Sequence, residues 1–149
     1  MVENHFEFIL KVTGVVTSTN HPGLYPHNMD KTETIEVESG KILRLEFTHF
    51  AVYGVPSYCE SDDFVKITDG DGTTLMDNSC GYSSSDPSSS SYFLPPIITT
   101  RSNRVEIFFH TDASDTSSGW TRTGWSLSWS AVTPGEKALM INSIRIVHN

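Results

Sequence analysis

Apolar and polar residues alternate with a period of two along much of the chain. In KILRLEF (41–47), Leu43, Leu45 and Phe47 share one face, and Arg44 and Glu46 share the other. RVEIFFHT (104–111) places Val105, Ile107 and Phe109 together, and GWSLSWSA (124–131) turns Trp125, Leu127 and Trp129 inward and its serines outward. Such alternation predicts strands with one buried face. KTETIEVE (31–38) is a weaker mixture carried by Thr32, Thr34, Ile35 and Val37, and DFVKI (63–67) is a short β-branched run. HFEFILKV (5–12) is expected to form the first strand and LMINSIRIV (139–147) the last. Turn-forming clusters punctuate these runs: NHPGLYP, ESGK, DGDG, SSSDPSSSS, LPP, TSSGW and TPGE. No helical periodicity is sustained anywhere. The pattern predicts an all-β protein, an antiparallel two-sheet β-sandwich.

At 149 residues the chain is long enough to bury one core. Residues 1–132 are expected to form the domain, and 133–149 either its C-terminal strand or the start of a following segment. SSSDPSSSS (83–91) reads as a low-complexity surface loop. The net charge of −8 disfavours nucleic acid and anionic lipid surfaces and favours basic partners. No run of apolar residues is long enough to span a bilayer, so no membrane insertion is expected. The opening MVENHFEFILKV is not a signal peptide, because its apolar part is short and broken by Glu7 and Lys11. A mature chain whose leader has been removed is expected.

Candidate chemistry concentrates in YCESDDFVKITDGDG (58–72). The acids before Phe64 and those after Ile67 are separated by one strand, which places them at opposite ends of a sandwich. DGDG, with Asp69 and Asp71, reads as a hairpin turn, since no helices and no further acidic residue complete a calcium loop there. Cys59 and Cys80 both lie beside turns; a bridge between them would close a loop of about 20 residues. Among the histidines, His49 and His110 end two strands and stand near Asp112 in sequence or by strand pairing, a weak transition-metal pattern. No nucleophile elbow, zinc-protease helix or phosphate loop is present, and no enzyme is expected.

Four stretches, in order, resemble the CUB family of extracellular modules: TGVVTSTNHPGLYPHN, ILRLEFTHFAV, CESDDFVKITDGDG followed by SCG, and ITTRSNRVEIFFHTDAS followed by TGWSLSW. The resemblance covers about Val12 to Ala131. It implies a CUB-like jelly-roll sandwich, a secreted location and a Cys59–Cys80 disulfide. This chain departs from the family pattern in lacking the first cysteine pair: none occurs near Gly14, and Lys31 stands where the second would fall.

Many members bind calcium at one end of the sandwich, and the chemistry suits a cation that takes six to eight hard oxygens. By the resemblance, Asp63 and Asp112 match the two aspartates of that site, with Ser114 nearby; Asp62 makes the loop one residue longer, and Glu60 is a possible substitute ligand. The family's glutamate position falls on Tyr53, whose neutral phenol is a poor calcium ligand. Tyr53, Tyr58 and Trp120 could form an aromatic rim around these acids. The implied function is extracellular protein–protein interaction or adhesion through the end loops, calcium-dependent where the ion binds, with a partner presenting basic side chains. The alternatives are a carbohydrate-binding module with a glycan partner, and a noncatalytic accessory domain of a larger secreted protease or matrix protein.

Overall fold

Two antiparallel sheets face each other in the computed structural model, which describes residues 11–82, 94–113 and 122–135. The strands are β1 (Thr13–Thr17), β2 (Met29–Glu36), β3 (Ile42–Val52), β4 (Phe64–Asp69), β5 (Thr74–Ser79), β6 (Gly81–Tyr82), β7 (Ile98–Thr99), β8 (Arg104–Thr111) and β9 (Gly124–Val132). One sheet runs β1-β9-β3-β6, with β7 also paired to β3; the other runs β2-β8-β4-β5. One 3-10 turn, Cys59–Ser61, precedes β4. The all-β sandwich expected from the alternation is therefore the fold found.

The faces follow the period of two. Leu43, Leu45 and Phe47 of β3, Val105, Ile107 and Phe109 of β8, and Trp125 and Leu127 of β9 are all buried in one core between the sheets. Trp129 differs from the expectation. It packs against the core but stays partly exposed, because its indole lies over edge strand β1, where a side chain at Gly14 would collide with it at 2.6 Å. Among the described residues the first strand is Thr13–Thr17, with Lys11 and Val12 before it outside any strand. Most of HFEFILKV, and all of LMINSIRIV and SSSDPSSSS, lie outside the described residues.

Pairing register fixes which loops meet. Met29 of β2 pairs with Thr111 of β8, and Phe64 of β4 with His110. Ala51 of β3 pairs with Gly124 of β9, and Thr17 of β1 with Ser126. The segments 18–28, 53–63, 112–113 and 122–123 therefore converge on one end of the sandwich. Cys59 and Cys80 are bonded there, with their Cα atoms 5.5 Å apart. Closing a loop of 21 residues removes unfolded-state entropy equivalent to about 3 kcal/mol.

At the far end, DGDG forms the β4–β5 hairpin. Gly72 N–H donates to the Asp69 carbonyl, and Gly72 has φ +89°, a conformation glycine adopts without steric cost. Asp69 itself is buried and accepts hydrogen bonds from the Arg101 and Ser102 N–H groups and from the Ser102 hydroxyl, pinning the turn before β8. Burial pushes its carboxyl up, but these hydrogen bonds outweigh burial and hold it below the usual carboxylate range. A depressed folded-state pKa contributes stability that is complete above the unfolded value of about 3.9 and is lost as pH falls through the lower folded value. The stability advantage of the native chain over Asp69→Asn is thus expected to hold at neutral pH and shrink below about pH 4. Urea melts across that range check this, and an advantage independent of pH would contradict it.

Candidate functional site

The converging end is organised around a buried tyrosine. Loop 18–25 is bound to the start of β9 by a reciprocal pair: Ser18 N–H donates to the Trp125 carbonyl, and Trp125 N–H donates to Ser18 Oγ, both at 2.9 Å. Tyr25 N–H donates to the Arg122 carbonyl at 3.1 Å. These bonds insert the Tyr25 ring between the sheets, edge-on to Phe109 with ring centroids 5.0 Å apart. Its hydroxyl then bridges two loops, donating to Asp63 Oδ2 at 2.6 Å and accepting from Tyr53 N–H at 2.8 Å. Burial and the Asp63 carboxylate push the Tyr25 phenol far up, so it stays protonated and acts as a donor.

Asp63 is only 1% exposed. Its other oxygen, Oδ1, accepts the Asp112 N–H at 2.8 Å. One carboxylate thus joins the loop before β4 to the loop after β8 and to loop 18–25. Burial raises its pKa and the Asp112 charge adds to this; the two hydrogen bonds and the charge of Arg122 act against it without reversing it. Arg122 is itself 8% exposed, with its guanidinium 5.2 Å from the Tyr25 ring centroid and Nη1 3.3 Å from His27 Nδ1. Thr111 secures the neighbouring segment, donating from Oγ1 to the Pro26 carbonyl and accepting from Met29 N–H.

The residues expected from the sequence divide into two groups. Asp63 and Asp112 are brought together. Tyr53 contributes to the same network, but through its backbone N–H, and its side chain is half-buried. Glu60 and Tyr58 are exposed and Asp62 is half-buried, on the loop held by Cys59. Ser114 and Trp120 lie outside the described residues. His49 and His110 stand in different sheets with separate partners. His49 Nε2 lies 2.7 Å from Thr123 Oγ1, and His110 Nδ1 lies 2.6 Å from Asp30. His49 instead neighbours His21, with ring centroids 4.9 Å apart, and burial together with that neighbour lowers its pKa. Tyr25 and Arg122 were not expected at the site. Tyr25 stands inside the NHPGLYP stretch, whose two prolines and glycine mark a loop with a large aromatic that needs a place to pack. Nothing local marks Arg122.

Calcium requires six to eight oxygens. Among the described residues, no group of three His, Cys, Asp or Glu side chains is placed to hold a metal. Two carboxylates meet, both oxygens of one already accept hydrogen bonds, and a guanidinium already acts on it. The described residues do not complete a calcium shell.

The chain matches the CUB domain family over residues 5–123. It is 29% identical to cubilin of Rattus norvegicus over 126 residues, covering 85% of this chain and 3% of cubilin. It is 32% identical to mannan-binding lectin serine protease 1 of Homo sapiens over 109 residues, covering 72% of this chain and 14% of that protein. The chain thus spans a small fraction of the length of these relatives. Among solved structures, the MASP-1 CUB2 domain bound to Ca2+ aligns with a TM-score of 0.62 and 30% identity, covering 80% of this chain and 93% of that one. The CUB1-EGF-CUB2 region of human MASP-1/3 aligns with a TM-score of 0.68 at 24% identity, a likeness of fold, covering 87% of this chain and 45% of that one. With its fold, its disulfide and a family match over most of its length in agreement, the chain belongs to the CUB domain family.

Proposed function

We propose that this chain is a noncatalytic extracellular protein-interaction module that docks its partner on the loop between β3 and β4. The observation that carries this reading is a rigid display of exposed apolar and aromatic groups beside carboxylates. Val55 is 55% exposed and Tyr58 66% exposed. Tyr58 N–H donates to the Val55 carbonyl at 2.9 Å, with Pro56 second in the turn and Ser57 at φ +82°, the pattern of a type II turn. The 3-10 turn begins at the next residue, with Ser61 N–H donating to the Tyr58 carbonyl, and Cys59 anchors it to Cys80. Tyr58 is therefore held at both ends, which lowers the entropy lost on docking.

Glu60 lies within this 3-10 turn and Asp62 follows it directly, and Asp112 is half-exposed at the same end. They suit a partner presenting lysine or arginine, with association steered by charge. Asp63 is too deeply buried to meet a partner and serves to position the loops. The membership of the CUB family and the oxidised cysteine pair support an extracellular setting. The length of the relatives supports a role as one module of a larger protein. Calcium is named for the solved MASP-1 domain; in this reading the loops here are ordered by the Tyr25–Asp63–Asp112 hydrogen bonds. The carbohydrate alternative depends on Trp120, which lies outside the described residues.

The test is binding to an array of purified extracellular domains, measured by surface plasmon resonance at low and high salt. Tyr58→Ala is expected to weaken the interactions found by about tenfold or more, and Glu60→Lys chiefly to slow association at low salt. Both variants should melt like the native chain. Affinities that ignore both substitutions would reject this surface.

A further inference from the structure

We propose that Arg122 is the resident cation of the acidic end, so that the loops there are held without a divalent ion. The inference concerns the same end of the sandwich as the docking surface but does not depend on any partner, so either can fail alone.

A guanidinium that is 8% exposed needs compensation, since an uncompensated buried charge is strongly destabilising. Here the compensation is the face of Tyr25, 5.2 Å away, and the carboxylate that Tyr25 itself bonds. The Arg122 carbonyl accepts the Tyr25 N–H, so backbone and side chain grip the same residue. His27 Nδ1 stands 3.3 Å from Nη1, and because a guanidinium offers only donors, that nitrogen serves as the acceptor. The Arg122 charge also acts on the Asp63 carboxylate, against the repulsion that Asp112 exerts on it across the hydrogen bond joining the two residues.

The supply of ligands separates this arrangement from a calcium site. Asp63 already spends both oxygens on hydrogen bonds and feels the fixed charge of Arg122, and among the described residues no third carboxylate joins it and Asp112, so little is left to draw a divalent ion from water. The arginine charge is covalently tethered, so the loop end stays ordered whatever the free calcium. Tyr53 fits the same scheme. A carboxylate there would add an oxygen ligand for a metal, whereas the tyrosine side chain brings no charge and its backbone N–H still serves the Tyr25 hydroxyl.

The experiment uses the 149-residue chain, with calcium chloride as the only probe and EDTA as control. Native protein is expected to show no binding heat at millimolar calcium and the same Tm in calcium and in EDTA. Arg122→Gln is expected to melt several degrees lower, with Arg122→Lys in between. The double variant Tyr53→Glu/Arg122→Gln should acquire a calcium-dependent rise in Tm that Tyr53→Glu alone lacks, a difference which a merely structural role for the arginine would not produce. A native Tm that rises with calcium and falls with EDTA overturns the proposal. So does Arg122→Gln melting like the native chain, or a folded double variant indifferent to calcium. If Arg122→Gln does not fold, the native calcium titration decides alone.

Discussion

Asp63→Ala is expected to lower stability by about 3 kcal/mol, one of the two largest losses foreseen for a single substitution here. Two donors lose their acceptor at once: the buried Tyr25 hydroxyl and the part-buried Asp112 N–H. Each unsatisfied donor costs about 1–3 kcal/mol, partly offset because the variant no longer buries a carboxylate. Arg122 also loses a neighbouring opposite charge. Asp63→Asn should cost less, about 1–2 kcal/mol, since one oxygen survives while the amide nitrogen must face a donor. The pH dependence identifies the cause. Burial raises the Asp63 pKa in the folded state, so its titration contributes stability that is fully present below the unfolded value of about 3.9 and is lost as pH rises through the folded value. The gap between native protein and Asp63→Ala should therefore be wider near pH 4 than at pH 7. This is opposite in sign to the change expected for Asp69. Chemical denaturation at both pH values measures it, and a gap that narrows on acidification would refute the assignment.

The contrast between these two aspartates also shows how far the sequence could be read. Both lie in YCESDDFVKITDGDG, and the apolar strand between them was enough to place them at opposite ends. The strands with strict alternation, β3, β8 and β9, were legible because one buried face imposes a period of two. β1 was not legible. TGVVT is an edge strand with Val15 66% exposed, and its Gly14 is required by the Trp129 indole of a neighbouring strand, a reason that no local pattern carries. β5 was missed because TLMDNS sends only Met76 fully into the core.

At the site, side chains with obvious chemistry were found and their supports were not. Tyr25 is 38 positions from Asp63, and its partner on the other side is a backbone N–H of Tyr53, invisible to any reading of side chains. The resemblance directed attention to the Tyr53 phenol as a missing ligand. The fold uses the same residue for its main chain. Arg122 carries no local signal because its burial is created by elements distant in sequence, above all loop 18–28.

Gly124→Ala should be as damaging as the loss of Asp63, at about 3 kcal/mol, and for steric reasons rather than charge. Gly124 has φ +76°, where a Cβ costs about 1–2 kcal/mol before any contact is considered. The added carbon would also overlap Ser18 Oγ and come within 2.9 Å of Ser18 Cβ and 3.5 Å of the Tyr25 ring. Ser18 must then withdraw, leaving the Trp125 N–H without its buried acceptor, and the loop carrying Tyr25 is pushed off β9. A double-mutant cycle separates the two contributions. Ser18→Gly removes both crowding atoms, so adding Gly124→Ala to it should cost only the backbone strain, about 1–2 kcal/mol. The two substitutions should therefore couple by about 1 kcal/mol or more. Strict additivity would mean that the loop yields freely to the new carbon. The tight seat of Tyr25 on β9, on which the positions of Asp63 and Arg122 both depend, would then be wrong.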